Sequence, residues 1–116
     1  MSKNDLVRLR HILDAAREAI AFTKERSRRD LDANRMLNLS LVRLLEIIGE
    51  AARAVSPECR EAHPHIAWKK MAGLRDRLIH GYFDVNLDVV WETVKEDLPP
   101  LIAQLEKILP PEKINP

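Results

Sequence analysis

The chain has 116 residues, of which 46% are hydrophobic, 32% charged and only 4% aromatic, with a formal net charge of +1. These values predict one globular domain with an aliphatic core, and they exclude a disordered chain. A net charge so close to neutral gives no global attraction for a polyanion, so any nucleic-acid site would have to be a local patch.

Apolar residues recur at helical spacing in four segments. In the first, over about residues 4–28, they are three and four positions apart, and Asn4 or Asp5 is the predicted N-cap. The second, over about residues 31–55, carries two apolar rows, which predicts a central position or a subunit interface. Gly49 lies inside this helix at a cost of roughly 1 kcal/mol against alanine, and a close approach of another helix is one explanation for it.

A proline-bounded connection follows, for which one short helical turn is expected before Pro64. The third helix is predicted over about residues 66–80, with Gly81 as its stop signal. Its apolar residues fall on one face, so it is expected to pack against the others.

The fourth helix is predicted from Asn86 or Leu87 to Ile108, with a kink at Pro99 and Pro100. Four amphipathic helices with short links predict an all-α fold, a helical bundle, and the second apolar row of the second helix suggests a dimer. The expected domain covers residues 1–109, and residues 110–116 form a short tail.

The stretch "RDRLIHGYF", residues 75–83, concentrates groups suited to phosphate chemistry. Arg75 offers a permanently charged fork for phosphoryl oxygens, and His80 can exchange a proton near neutral pH. Asp76 could orient either of them, and Tyr82 adds a hydroxyl. Further positive charge comes from three candidate RNA contacts, Lys69, Lys70 and Arg77.

Helical geometry limits what this stretch can do. On a straight helix Arg75 and His80 would point about 140° apart. A joint site therefore requires the helix to unwind near His80, which Gly81 permits, or a second copy of the chain to supply the missing group. A different interpretation stays open, because the helix dipole alone favours basic residues at a helix C-terminus.

The segment "RDRLIHGYFDVNLDVVWETVKEDLPPLIAQLEKIL", with the upstream "LLEIIGEAARAVS", resembles the HepT-like toxins of the HEPN superfamily over about residues 35–109. Arg75, Asp76, His80 and Tyr82 fill the places of that family's motif. Many relatives carry asparagine where this chain has Asp76, which is still a polar residue.

The resemblance implies an antiparallel bundle of four to five helices that forms a homodimer. It also implies a cleft at the dimer interface, lined by both copies of the motif. It implies a metal-independent ribonuclease without a cofactor, with Arg75 and His80 catalytic and Asp76 supporting. It also implies the toxin of a type II or type VII-like toxin–antitoxin pair. The antitoxin would be an MntA-like nucleotidyltransferase that transfers AMP to Tyr82.

Other interpretations remain beside this one. Some HEPN proteins serve as non-catalytic nucleotide- or partner-binding modules, and a purely structural bundle is a third possibility. His63 and His65 are not expected to hold a metal, since no third ligand stands nearby. Glu46 and Glu50 could face solvent, pair with helix arginines or hold Arg75.

Two further features bear on location. The single cysteine, Cys59, cannot form an internal disulfide, and the first residues show no signal-peptide pattern. No apolar run approaches the ~18 residues of a membrane span. A cytoplasmic protein without membrane association is therefore expected.

Overall fold

A computed structural model describes residues 1–111, which form an all-α bundle with one very short sheet. The helices are α1 (Lys3–Thr23), α2 (Arg28–Ala33), α3 (Arg35–Ala54), α4 (Pro57–Ala62), α5 (Trp68–Ala72), α6 (Leu74–Leu78), α7 (Leu87–Glu92) and α8 (Leu98–Ile108). Strands β1 (Ile79–His80) and β2 (Asp84–Val85) follow α6, and a π-helical turn, Thr93–Asp97, joins α7 to α8. The all-α prediction is confirmed.

The long helices pack antiparallel, α1 against α3 and α8 against α1. Asp5 at the start of α1 contacts Ser56, just beyond the end of α3, and Lys95 before α8 donates to the carbonyl of Thr23 at the end of α1. Both apolar rows of α3 are buried against α1, α5 and α6. The central position expected for this helix is therefore confirmed, and the core is aliphatic apart from Trp68.

The first predicted helix is wrong at its C-terminal end, because α1 stops at Thr23 rather than near residue 28. The chain turns away at Glu25, whose φ of 61° lies in the left-handed region. The predicted N-cap is also wrong. Ser2 caps α1 by accepting from the amide of Asp5, which leaves the Asp5 carboxylate free for another role.

The second predicted helix is divided at Asn34. The Asn34 side chain accepts from the amide of Leu37 and so starts α3, while its backbone amide still bonds to Asp30 in α2. An asparagine cap competes with helix continuation because its short side chain satisfies the free amides of a new N-terminus.

The third predicted helix is replaced by two short helices and a hairpin. α5 ends at Ala72, whose carbonyl accepts a hydrogen bond from Nε–H of Arg53 at 2.9 Å, and Gly73 is the C-cap. α6 then ends at Leu78, and Ile79 and His80 are extended and paired with β2. The connection before α5 contains the expected short helix, α4.

The fourth helix begins as predicted, with Asn86 accepting from the amide of Val89. Its irregularity precedes the two prolines: the π-helical turn ends at Asp97, and Pro99 and Pro100 lie in the first turn of α8. Proline fits there because first-turn amides have no partner within the helix. Residues 112–116 of the predicted tail lie outside the described residues, so the domain division stays a prediction.

Gly49 lies where the helices come closest. A Cβ atom at this position would be 3.0 Å from the carbonyl oxygen of Met71 and 3.7 Å from Cβ of Leu74. The close approach proposed to explain this glycine is therefore confirmed, and it seats α5 and α6 directly on α3.

A buried polar contact, here called the Asp5–Ser56 joint, ties α1 to the start of α4. The carboxylate of Asp5, only 2% exposed, accepts from the amide of Ser56 at 2.9 Å and from its hydroxyl at 2.6 Å. The Ser56 hydroxyl in turn accepts from the amide of Cys59. These bonds from Ser56 lower the pKa of Asp5 below its ordinary value of 3.8.

Candidate functional site

The candidate site is built on α6 and the hairpin that follows it. Leu74 and Leu78 are buried in the core, so the three residues between them, Arg75, Asp76 and Arg77, face outward and are exposed. Residues 75–83, which run from this outward set to the tip of the hairpin, are here called the motif segment. The anchoring leucines hold its first part rigidly against α3.

The hairpin determines where His80 points. Ile79 pairs with Val85 and His80 with Asp84. Side chains alternate along a strand, so the half-buried Ile79 and Val85 face the core while His80 and Asp84 face solvent. The amide of Asn86 donates to the carbonyl of Leu78 at 2.8 Å and closes the base of the hairpin.

Gly81 makes the turn possible. Its φ of 75° lies in the left-handed region, and no atom lies within 4 Å of where a Cβ would be. The unwinding that a joint site required is therefore present. It occurs two residues before His80 and produces a strand and a three-residue loop rather than a simple helix end.

The polar side chains of the motif segment are exposed. In residues 1–111, no hydrogen bond or ion pair involves the side chains of Arg75, Asp76, Arg77, His80 or Tyr82. Asp76 therefore does not orient Arg75 or His80 in this protomer. Neither glutamate on α3 holds Arg75; Glu50 lies 3.9 Å from Arg43 instead.

The other two predicted RNA contacts, Lys69 and Lys70, differ in whether they form an ion pair. Lys69 is exposed and, in the described part of the chain, unpaired. Lys70 pairs with Asp97 at 3.0 Å, across the gap between α5 and the π-helical turn. The competing carboxylate makes Lys70 the weaker candidate for a phosphate.

A mainly apolar cavity of about 170 Å³ lies beside that ion pair. It is lined by residues of α5, the π-helical turn and α8, with Lys70, Asp97 and Gln104 at its polar edge. The motif segment does not contribute to this cavity. Arg75 and His80 lie on the open surface of the chain instead.

Comparison with known proteins decides the family. Residues 12–108 match the model of the family described as "Ribonuclease HepT-like", which is most of the chain. The chain belongs to the HepT-like ribonuclease family. The resemblance carried by the motif segment is thereby confirmed at the level of the family.

Close relatives extend over nearly the whole chain. One is named "Putative RNase MJ1380" from Methanocaldococcus jannaschii, 41% identical over 91% of this chain and 98% of its own. Another, "Putative RNase TTE0752" from Caldanaerobacter subterraneus subsp. tengcongensis, is 43% identical over 90% and 94%. "Probable ribonuclease HepT" from Thermococcus cleftensis is 40% identical over 86% and 91%. No solved structure matches the chain.

Residues 1–111 contain neither an arrangement typical of a metal site nor a membrane-spanning helix. No group of three or more histidine, cysteine or acidic residues is arranged to hold a metal ion there. The rings of His63 and His65 lie 6.1 Å apart, edge to face. No helix in this range is long and apolar enough to cross a membrane.

Sequence reasoning missed two features of this HepT-like site. Phe83, next to Tyr82, is 76% exposed at the hairpin tip, and Asp84 is paired with His80 across the strands. The signal was present as two β-branched residues, Ile79 and Val85, on either side of a glycine-containing loop. A helical period continuing up to residue 80 concealed it.

Proposed function

We propose that this chain is a metal-independent endoribonuclease that acts in the cytoplasm as the toxin of a toxin–antitoxin pair. Membership of the HepT-like ribonuclease family supports the reaction class. The observation that carries the assignment of residues is the end of α6 at Leu78. Because the helix stops there, the Arg75 guanidinium and the His80 imidazole are both exposed on one short, anchored segment.

The proposed reaction uses the RNA itself as nucleophile. His80 takes the proton from a 2′-hydroxyl, the 2′-oxygen attacks the adjacent phosphorus, and the bond to the 5′-oxygen breaks. Arg75 stabilises the charge that develops on the phosphoryl oxygens. The leaving 5′-oxygen receives a proton, so the products carry a 2′,3′-cyclic phosphate and a free 5′-hydroxyl.

A homodimer would complete this chemistry. One group must accept the 2′ proton and another must supply a proton to the 5′-oxygen, whereas each protomer brings one motif histidine. Two motif segments facing each other across a two-fold axis would offer two imidazoles and two arginines in one cleft. The open surface on which Arg75 and His80 lie in a single protomer supports this arrangement. Sedimentation equilibrium tests it, and a strict monomer with full activity would exclude it.

Lys69 and Arg77 are the proposed additional contacts to the RNA backbone, since both are exposed and neither is paired in the described residues. Their contribution would be electrostatic and independent of sequence.

Tyr82 is the proposed point of control. Its side chain is 94% exposed, so its hydroxyl is open to a nucleotidyltransferase antitoxin of the MntA type. AMP on this hydroxyl would add bulk and negative charge two residues from His80 and repel RNA. Mass spectrometry after co-expression should show the addition of one AMP to the wild type and none to Tyr82→Phe. Equal modification of both proteins would rule out this tyrosine.

The decisive experiment measures RNA cleavage in the presence of a chelator. The wild type should cleave, and His80→Ala should lower the rate about a hundredfold to ten-thousandfold, the usual range for a general acid or base. The matched control is His11→Ala, which removes an exposed histidine of α1 and should change nothing.

Each result separates the candidate functions. Equal cleavage by wild type and His80→Ala would remove the histidine from the mechanism. Activity lost with chelator and restored by a divalent cation would contradict metal independence. RNA binding without any cleavage would favour the non-catalytic binding module.

A further inference from the structure

The hairpin tip presents two aromatic rings to solvent. The chain contains two phenylalanines, two tryptophans and one tyrosine. Tyr82 and Phe83, at 94% and 76% exposure, are the most exposed aromatic residues, whereas Trp68 is buried and Trp91 is half-buried beneath Lys95. Such exposure contributes little to folding, so the rings are available for a ligand.

The rings do not cover each other. Their centroids are 5.1 Å apart and their planes are inclined by 61°, which is an edge-to-face contact. Ring surface therefore remains open beyond the contact, in contrast to a stacked pair. The fixed turn at Gly81 and the β1–β2 pairing hold this tip in place.

The tip is close to the proposed reaction centre. Phe83 is bonded to Asp84, the cross-strand partner of His80. Adjacent Cα atoms are 3.8 Å apart and paired Cα atoms about 5 Å apart, so the Cα atoms of Phe83 and His80 lie within about 9 Å of each other. A nucleotide next to a phosphate at His80 would therefore reach the ring of Phe83.

The charged surroundings decide between possible occupants. Arg75, Asp76 and Arg77 on α6, and His80 and Asp84 on the hairpin strands, are all exposed. The centre of a protein–protein interface is depleted in charged residues, so in the proposed dimer this tip would line the open cleft and would not be buried in the contact between subunits. Unpaired arginines beside open aromatic faces are the combination that binds single-stranded nucleic acid.

We infer that Phe83, assisted by Tyr82, forms a stacking site for an unpaired RNA base beside the scissile phosphate. This inference rests on the proposed ribonuclease function and adds a subsite to it. The site selects single-stranded over double-stranded RNA, because a base within a duplex has no free face to offer. It tolerates any base, since every base has a π face.

The test measures binding of an unstructured RNA of about 12 nucleotides to the full chain carrying His80→Ala, which prevents cleavage. Fluorescence anisotropy should show binding about tenfold weaker after Phe83→Ala and little changed after Phe83→Trp. An RNA of the same length lacking its bases should bind independently of residue 83. Phe22→Ala, which removes the other phenylalanine from the surface of α1, is the matched control.

Sedimentation velocity on the same samples identifies the competing outcome. If Phe83→Ala changes the association state and weakens the two RNAs equally, Phe83 belongs to a protein interface and the inference fails. Equal RNA affinity for Phe83→Ala and its parent also refutes it.

The failure of this inference is distinguishable from that of the ribonuclease. If the otherwise wild-type chain cleaves RNA and Phe83→Ala leaves affinity unchanged, the enzyme stands without the stacking site. If affinity depends on Phe83 but the chain cleaves no RNA, the stacking site stands and the ribonuclease assignment fails. A chain that neither binds nor cleaves RNA refutes both.

Discussion

The Asp5–Ser56 joint and the motif segment are both polar, yet their groups are used in opposite ways. In the joint, the Asp5 carboxylate is buried and accepts two hydrogen bonds from Ser56. In the motif segment, Arg75 and His80 are exposed and, within residues 1–111, have no side-chain partner. The polar groups of the joint are satisfied by hydrogen bonds within the protein, whereas those of the motif segment are hydrated.

This difference separates stability from function. A buried carboxylate must be hydrogen-bonded, and removing its partners leaves a desolvated group at a cost to folding. An exposed arginine or histidine exchanges water for a ligand at little cost to the fold. We therefore expect changes in the joint to reduce stability with little effect on catalysis, and changes in the motif segment to do the reverse.

After the loss already predicted for His80→Ala, the largest expected effect is on catalysis at Arg75. Arg75→Ala should lower the rate of RNA cleavage about a hundredfold to a thousandfold, because a preorganised donor to the developing charge is lost. Arg75→Lys should recover little of the lost cleavage rate, since an ammonium group lacks the planar fork of a guanidinium. The free energy of unfolding should stay within about 0.5 kcal/mol of wild type.

The matched control for this prediction is Arg26→Ala, which removes an exposed arginine from the connection between α1 and α2. It should leave both rate and stability unchanged. A comparable loss of rate in Arg26→Ala would indicate a general effect of positive charge. It would contradict a specific role of Arg75 in catalysis.

The next largest effect is on stability at Asp5. Asp5→Asn places an NH₂ group where an oxygen now accepts from Ser56, and should lower the free energy of unfolding by about 2 kcal/mol. Urea denaturation measures this, while the rate of cleavage per folded molecule should not change. Asp14→Asn, at an exposed aspartate of α1, is the control. If Asp5→Asn lowered activity without lowering stability, the joint would have the functional role that is assigned here to the motif segment.

The smallest effect is the pH dependence of that same contribution. The pKa of Asp5 is lowered by its bonds from Ser56, so the unfolded chain binds the proton more tightly. The stabilisation is complete above the ordinary value of 3.8 and is lost as the pH falls through the lowered folded-state pKa. The difference in unfolding free energy between wild type and Asp5→Asn should therefore be constant from pH 7 to about 5.

Below about pH 4 that difference should shrink as the wild-type carboxylate becomes protonated. A difference that stays constant down to the acid limit would mean that the charge of Asp5 does not contribute to the joint.

Much of the fold could be predicted from local sequence, and the errors have identifiable causes. The two apolar rows of α3 correctly placed it at the centre, and Gly49 correctly indicated a close approach. The third helix was wrong because its apolar spacing continues to Leu78 and Gly81 resembled its stop signal, whereas Ile79 pairs with Val85 across the turn and is extended. Asp5 resembled an ordinary N-cap, since its true partner lies 51 residues away.

The sequence by itself determined the all-α class, the identity of the motif residues and the family, because helical periodicity and a short motif are local properties of the chain. Only the tertiary structure decided that Arg75 and His80 emerge on either side of a helix end, and that Phe83 lies exposed at the hairpin tip. The reason is physical: whether residues 79–85 continue a helix or form a hairpin depends on burying Ile79 and Val85 against a core supplied by distant parts of the chain.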